Sequence, residues 1–180
     1  INRSDVKDIH VKDGPKERDC QAPTVPKRIG CHSIMVIVEK YTYPSLIHNT
    51  GASIKGRSMH WLHHIIEDDL RCIGEEYPYY YQNDIKHYYD NIDQEQMKQC
   101  IRKFISDQVL LPILDTFITV MPKGLSKGLR SSQCFANLYL SPVHHRMLEK
   151  VPRYMYTNKD CVDEVHYLYY NYCDDTAFFA

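Results

Sequence analysis

Residues 167–180 read Tyr167-Leu168-Tyr169-Tyr170-Asn171-Tyr172-Cys173-Asp174-Asp175-Thr176-Ala177-Phe178-Phe179-Ala180. Aromatic and apolar residues on both sides of a short polar break predict a strand, a turn and a strand. The expected hairpin runs from His166 to Tyr172 and from Thr176 to Ala180, with Cys173, Asp174 and Asp175 in its turn. A second acidic terminus lies upstream, where Tyr79-Tyr80-Tyr81 is followed by Gln82-Asn83-Asp84 and predicts a strand running into a carboxylate. Carboxylates in apolar strands are costly unless something positive compensates them. Two divalent ions about 3.5–4 Å apart would do so, because each shares carboxylate oxygens and holds a triphosphate. An ordinary solvated turn is the other reading of Asp174 and Asp175 taken alone.

Around these strands the hydrophobic spacing predicts helices. Ser58 to Leu70 sets Met59, Leu62, Ile66 and Leu70 on one face, with Ser58 as N-cap. Asp93 followed by Gln96 opens a helix carrying Met97, Ile101, Phe104 and Ile105. Pro112 to Val120 forms another, with Pro112 in its first turn, and Ser131 to Glu149 a third that Pro142 bends. Arg28 to Tyr41 stays open: Ile34 to Val38 has strand propensity, while the absence of breakers after Gly30 also allows a buried helix. The first 26 residues, interrupted by Pro15, Pro23 and Pro26, predict short strands or extended loop with a hairpin turn at Lys12-Asp13-Gly14-Pro15.

The chain has 180 residues, 43% hydrophobic, 25% charged and 12% aromatic, a balance that excludes disordered, collagen-like and mucin-like chains. One compact domain or two small lobes is the expectation. The longest apolar run, Val109 to Met121, is interrupted by Pro112 and Asp115 and is short of a membrane span, so no membrane partner is expected. Seven cysteines without a Cys-x-x-Cys pair fit a reducing, cytoplasmic setting. The opening residues hold no initiator Met or signal peptide and residue 180 follows a strand, so a piece of a longer chain is expected. Formal net charge is -1, but residues 121–153 carry +5 and residues 67–93 carry -6. Such polarity suits a site where metal ions meet a phosphate backbone, although either run alone also fits a solvated face. His60, His63 and His64 share a predicted helix, where an i, i+4 histidine pair can bind zinc. With no His-Glu-x-x-His arrangement or nearby cysteine, buried or solvated histidines are the expected state, as for His144-His145. No Ser-His-Asp, Cys-His or Walker-type arrangement is present.

Asp84-Ile85-Lys86-His87-Tyr88-Tyr89-Asp90-Asn91-Ile92-Asp93 resembles the first palm motif of bacterial reverse transcriptases, in which the metal-binding Asp is followed five residues later by an aromatic. Tyr172-Cys173-Asp174-Asp175 resembles their Tyr-x-Asp-Asp box. Between them, Lys127-Gly128-Leu129-Arg130-Ser131-Ser132-Gln133 with Phe135-Ala136-Asn137-Leu138-Tyr139-Leu140 is similar to the second palm motif. Arg18, Ala22-Pro23-Thr24 and Arg28 resemble the fingers segment, and Lys55-Gly56-Arg57-Ser58 with His60 resembles the stretch before the palm. The resemblance spans about residues 12–180 in order, and its strength lies in five motifs in series. Gly128-x-x-x-Ser132-Gln133 is similar to the form in diversity-generating retroelements, whereas group II intron enzymes show Gln-Gly-x-x-x-Ser-Pro. Lys127 departs from both patterns, which leaves the nucleotide selectivity linked to that position open.

The resemblance implies an α/β (α+β) fold of the right-hand polymerase type: an antiparallel palm sheet backed by helices over residues 76–180, partial fingers over residues 1–75, and no thumb. It implies RNA-directed DNA polymerisation assisted by two metals. Asp84 and Asp174 would ligate both, with Asp175 close by and the carbonyl of Ile85 adding an oxygen; such hard donors select Mg2+ or Mn2+. Tyr89 would lie under the incoming sugar and exclude a 2'-hydroxyl, its alternative being a core tyrosine. Arg18 and Arg28 would hold the triphosphate, or be surface arginines. Gly128 would allow close approach to nucleotide and template, or serve a turn. Lys123, Lys127 and Arg130 would track the nucleic-acid backbone, and Arg57 the template strand. The implied partners are an RNA template, a DNA primer or RNA–DNA duplex and deoxynucleoside triphosphates, with an accessory protein conceivable. Without a thumb the piece is expected to extend primers poorly or not at all, and to self-associate through an unpaired sheet edge or exposed apolar surface. The alternatives are an RNA-templated RNA polymerase, against which Tyr89 argues, and a non-catalytic nucleic-acid-binding fragment, against which the three aspartates argue.

Overall fold

The computed structural model describes residues 1–149, 154–157, 161–164 and 167–180. It is an α+β protein with small antiparallel sheets. The chain starts with a hairpin of β1 (Val6–Asp13) and β2 (Lys16–Pro23), with Gly14 at φ 59° in the turn that the Gly-Pro step predicts. There follow α1 (Val25–Thr42), α2 (Met59–Ile73), β3 (Tyr80–Asp84), the short α3 (Tyr88–Asn91), α4 (Gln94–Arg102), α5 (Leu110–Ile118) and α6 (Arg130–Glu149). The chain then forms β4 (Tyr154–Thr157), β5 (Cys161–Glu164), β6 (Leu168–Tyr172) and β7 (Asp175–Phe179). It divides into two compact units, Ile1–Leu46 with His87–Tyr139, and Ile47–Lys86 with Leu140–Ala180.

In the first unit the open question over residues 28–41 is settled as helix. Cys31, Met35, Val38 and Thr42 are buried at helical spacing, and Pro26 sits in the first turn of α1, where its missing N–H breaks no bond. Burying Met35 and Val38 completely favours folding by about 1.5–3 kcal/mol each, which outweighs the modest helix penalty of β-branched residues. Thr42 lies 3.6 Å from Cys134 of α6, whose thiol burial pushes up to about 12. Asp93 caps α4 by accepting from the Gln96 N–H at 2.8 Å, and Met97 and Ile101 point into the core as their spacing predicts. Leu114, Phe117 and Ile118 of α5 are buried as well.

The second unit is built on a three-stranded antiparallel sheet in the order β3-β7-β6. Ser58 caps α2 as expected, accepting from the Trp61 N–H, and Leu62 is buried. Met59, expected on the same face, is 63% exposed because it lies in the first turn, ahead of the buried Leu62. The hairpin turn contains two residues, Cys173 and Asp174, so Asp175 belongs to β7 and not to the turn. His166, the expected start of the first hairpin strand, lies outside the described residues. The β4–β5 pairing is not among the sequence expectations, since four-residue strands carry too few alternations to register as a period of two. Among the described residues no helix is long and apolar enough to cross a membrane.

Candidate active site

Register brings the carboxylates together. Asp84, the last residue of β3, is the cross-strand partner of Asp175, the first residue of β7, and Asp175 also pairs with Tyr172 of β6. Direct cross-strand partners project to the same face with β-carbons about 4.5–5.5 Å apart, so two like charges stand opposite each other. Asp174 occupies the intervening turn, and Ile85 directly follows Asp84. Asp84 and Asp175 are exposed and Asp174 and Ile85 half-buried. All of β3 is exposed, so Asp84 lies on an open edge strand and not in an apolar interior. Burial is therefore not what sets this carboxylate apart; its position opposite Asp175 is. Cys173, the first turn residue, has φ 59°, where a two-residue hairpin ordinarily uses glycine.

The turn is held by Asn171, which residues far away in sequence hold in turn. Asn171, almost wholly buried, donates from Nδ2 to the Cys173 carbonyl at 2.7 Å. Its backbone carbonyl accepts from the Gly51 N–H, and its own N–H donates to the Asn49 carbonyl, so residues 49–51 cover the outer edge of β6. Arg57 fastens that segment: its Nη1 donates to the carbonyls of Ile47, His48 and Thr50 at 3.2, 3.0 and 3.3 Å, and its guanidinium lies 5.4 Å from the centroid of the Trp61 ring. The arginine expected to meet the template thus holds backbone carbonyls of the segment that borders β6. Asn171 was missed in the sequence because one polar residue in an aromatic strand shows no partner. On the opposite face from Asp84, Tyr169 shares a 2.5 Å hydrogen bond with Nδ1 of His144. Burial, reinforced by His145, lowers His144 to about 4.

The remaining expected site residues belong to the first unit. Tyr88, next to the expected Tyr89, is the core tyrosine: it is buried and its hydroxyl donates to the Ala136 carbonyl at 2.6 Å. Tyr89 is half-buried and its carbonyl accepts from the Leu125 N–H. A β-carbon on Gly128 would come within 2.1 Å of the Gln21 carbonyl oxygen, so close packing against β2 already requires glycine there. Gln21, also missed, fixes that loop by accepting from the Lys127 N–H at 3.0 Å and the Ser126 hydroxyl at 3.3 Å. Lys127 pairs with Asp90 at 2.7 Å, Lys123 donates to Asn91 at 3.3 Å, and Arg130 grips Glu39 through two bonds of 2.9 and 2.6 Å, which raises its pKa further. Arg18 is exposed on β2, and Arg28 is exposed on α1.

Among the described residues, the three metal-type ligands whose donor atoms lie within 4.8 Å of one another are His63, His64 and Glu67 of α2, not the aspartates. Cys20, Cys31, Cys72, Cys100, Cys134 and Cys173 carry free thiols. No family model matches the chain, and no curated protein sequence matches it.

Proposed function

We propose that the chain is the fingers and palm portion of an RNA-directed DNA polymerase, most similar to the retroelement type, which adds deoxynucleotides to a primer 3'-hydroxyl on an RNA template. The supporting observation is the direct opposition of Asp84 and Asp175 across β3 and β7, beside the turn aspartate Asp174. Placing two carboxylates at facing positions is destabilising by itself, and a divalent cation between them reverses the sign. The all-oxygen donor set of Asp84, Asp174, Asp175 and the Ile85 carbonyl fits Mg2+ or Mn2+. When bound, such ions lower the pKa of the attacking hydroxyl and neutralise charge on the leaving pyrophosphate.

The chain's own residues supply orientation. Asn171 and Arg57 keep the hairpin, and with it Asp174 and Asp175, in one register. Tyr89 is the residue assigned to reject a ribonucleotide sugar, and Arg18 and Arg28 are assigned to the triphosphate. Lys123, Lys127 and Arg130 can meet a nucleic-acid backbone only by sharing or leaving the partners they already hold. In this reading the protein works in a reducing compartment, in line with its free thiols.

The test is a titration with Mn2+ in the presence of a deoxynucleoside triphosphate, comparing the unmodified chain with Asp84→Asn and Asp174→Asn. The proposal expects binding that both variants weaken at least about tenfold, in line with the loss of an inner ligand. Equal binding by all three proteins would overturn the metal assignment. Binding lost in both variants would put Asp84 and Asp174 at one metal centre and support the proposal, whether or not the thumbless piece extends a primer.

A further inference from the structure

We propose that His63, His64 and Glu67 form a surface site for a divalent transition ion of the zinc class, made of different residues from the aspartate cluster and independent of the polymerase reading. Glu67 lies four residues after His63 and three after His64, the two spacings that put helical side chains next to each other. Its Oε2 is 3.5 Å from Nδ1 of His63 and 3.5 Å from Nδ1 of His64. That is long for an N–H···O hydrogen bond, whose usual range is about 2.7–3.2 Å. It matches the edge of about 3.4 Å in a tetrahedron whose corners lie about 2.1 Å from a central ion. Each of the three residues offers a donor atom within 4.8 Å of the other two, and the two imidazole planes stand at 77°.

Both imidazoles are more than half exposed, so an ion can enter without any opening of the fold. Three protein ligands leave at least one position for water, as in open rather than closed zinc sites. Two imidazoles and one carboxylate favour Zn2+, Ni2+ or Cu2+ over Mg2+ and Ca2+, the reverse of the aspartate cluster. His60, one turn before His64, is not part of the trio, whose third ligand is Glu67. An ion held across this turn would also stiffen α2, which carries Asp69, the acceptor of the buried Tyr170 hydroxyl at 2.5 Å.

The experiment is calorimetric titration of the whole chain with ZnCl2 in excess Mg2+, accompanied by thermal unfolding with and without Zn2+. The proteins compared are the unmodified chain, the double variant His63→Ala/His64→Ala, Glu67→Gln and Asp84→Asn. The imidazoles of His63 and His64 are exposed and the Glu67 side chain is half-buried, so their variants are expected to fold. The expected result is a Zn2+ site and a Zn2+-dependent rise in Tm that Asp84→Asn retains, the double variant loses, and Glu67→Gln weakens at least about tenfold. Identical Zn2+ affinity and stoichiometry in the double variant and the unmodified chain would overturn the site. So would displacement of the ion by millimolar Mg2+, or no Zn2+ binding by the unmodified chain.

Discussion

At Gly128 an added β-carbon would meet backbone at 2.1 Å, whereas at Gly30 it would meet nothing within 4 Å. The same substitution should therefore have opposite signs. Gly128→Ala is expected to destabilise the chain by about 1–3 kcal/mol, since β2 or the loop must move. Gly30→Ala, in the interior of α1, is expected to stabilise by about 0.5–1 kcal/mol. Urea unfolding of both variants decides this, and a stabilising Gly128→Ala would contradict the packing against Gln21. Asp84 gives a second test at this scale. In EDTA, Asp84→Asn should raise stability by about 0.2–1 kcal/mol, because it removes a like charge opposite Asp175. In millimolar Mg2+ that advantage should shrink or reverse, and an effect independent of Mg2+ would argue against a shared ion.

Within the elements, the hairpin relies on a buttress that reaches it from the segment before α2. Arg57→Ala removes three carbonyl partners and is expected to lower stability by about 1–3 kcal/mol, with Arg57→Lys recovering only part because an ammonium lacks the planar fork. Faster amide exchange in β6 would show that the loss reaches the hairpin. The pairing of α6 with β6 adds a pH dependence through His144, whose Nε2 is buried without a hydrogen-bond partner among the described residues and whose pKa falls from 6.5 to about 4. The unfolded chain takes up a proton below about pH 6.5 that the folded chain refuses until about pH 4. Stability from this group is therefore present at neutral pH and lost as the pH falls through that window, by at most about 3 kcal/mol. His144→Gln, whose amide can still meet the Tyr169 hydroxyl, should flatten this part of the stability–pH curve.

For the molecule as a whole, the basic stretch over residues 121–153 is less available than its count suggests. Lys127 and Arg130 already face Asp90 and Glu39, so a phosphate backbone must compete with acids of the protein. Binding of an RNA–DNA duplex, followed by fluorescence anisotropy across a salt series, should separate the two. Lys127→Ala is expected to reduce the slope of log K against log salt by about 0.7–0.9, the contribution of one phosphate contact. Arg130→Ala should instead lower the unfolding free energy, since it strands Glu39, and leave the slope nearly unchanged. The opposite pattern would reassign the two residues.

The helix starts at Ser58 and Asp93, the hairpin turn at Gly14 and the strands around Asp84 and Asp174 were determined by the sequence itself, because caps, turns and two- or four-residue periods act between near neighbours. Residues 28–41 could not be assigned that way, since an apolar run fits strand and helix equally until Cys31, Met35, Val38 and Thr42 find a core to enter. The candidate acids were legible one by one, but their alignment was not: the pairing of Asp84 with Asp175 is a matter of register between strands distant along the chain. Only the tertiary structure decided that Arg57 reaches the carbonyls before α2 and that Gly128 abuts Gln21. The physical reason is that hydrogen bonds, ion pairs and close packing act over a few ångströms of space, while the sequence orders residues only by their covalent neighbours.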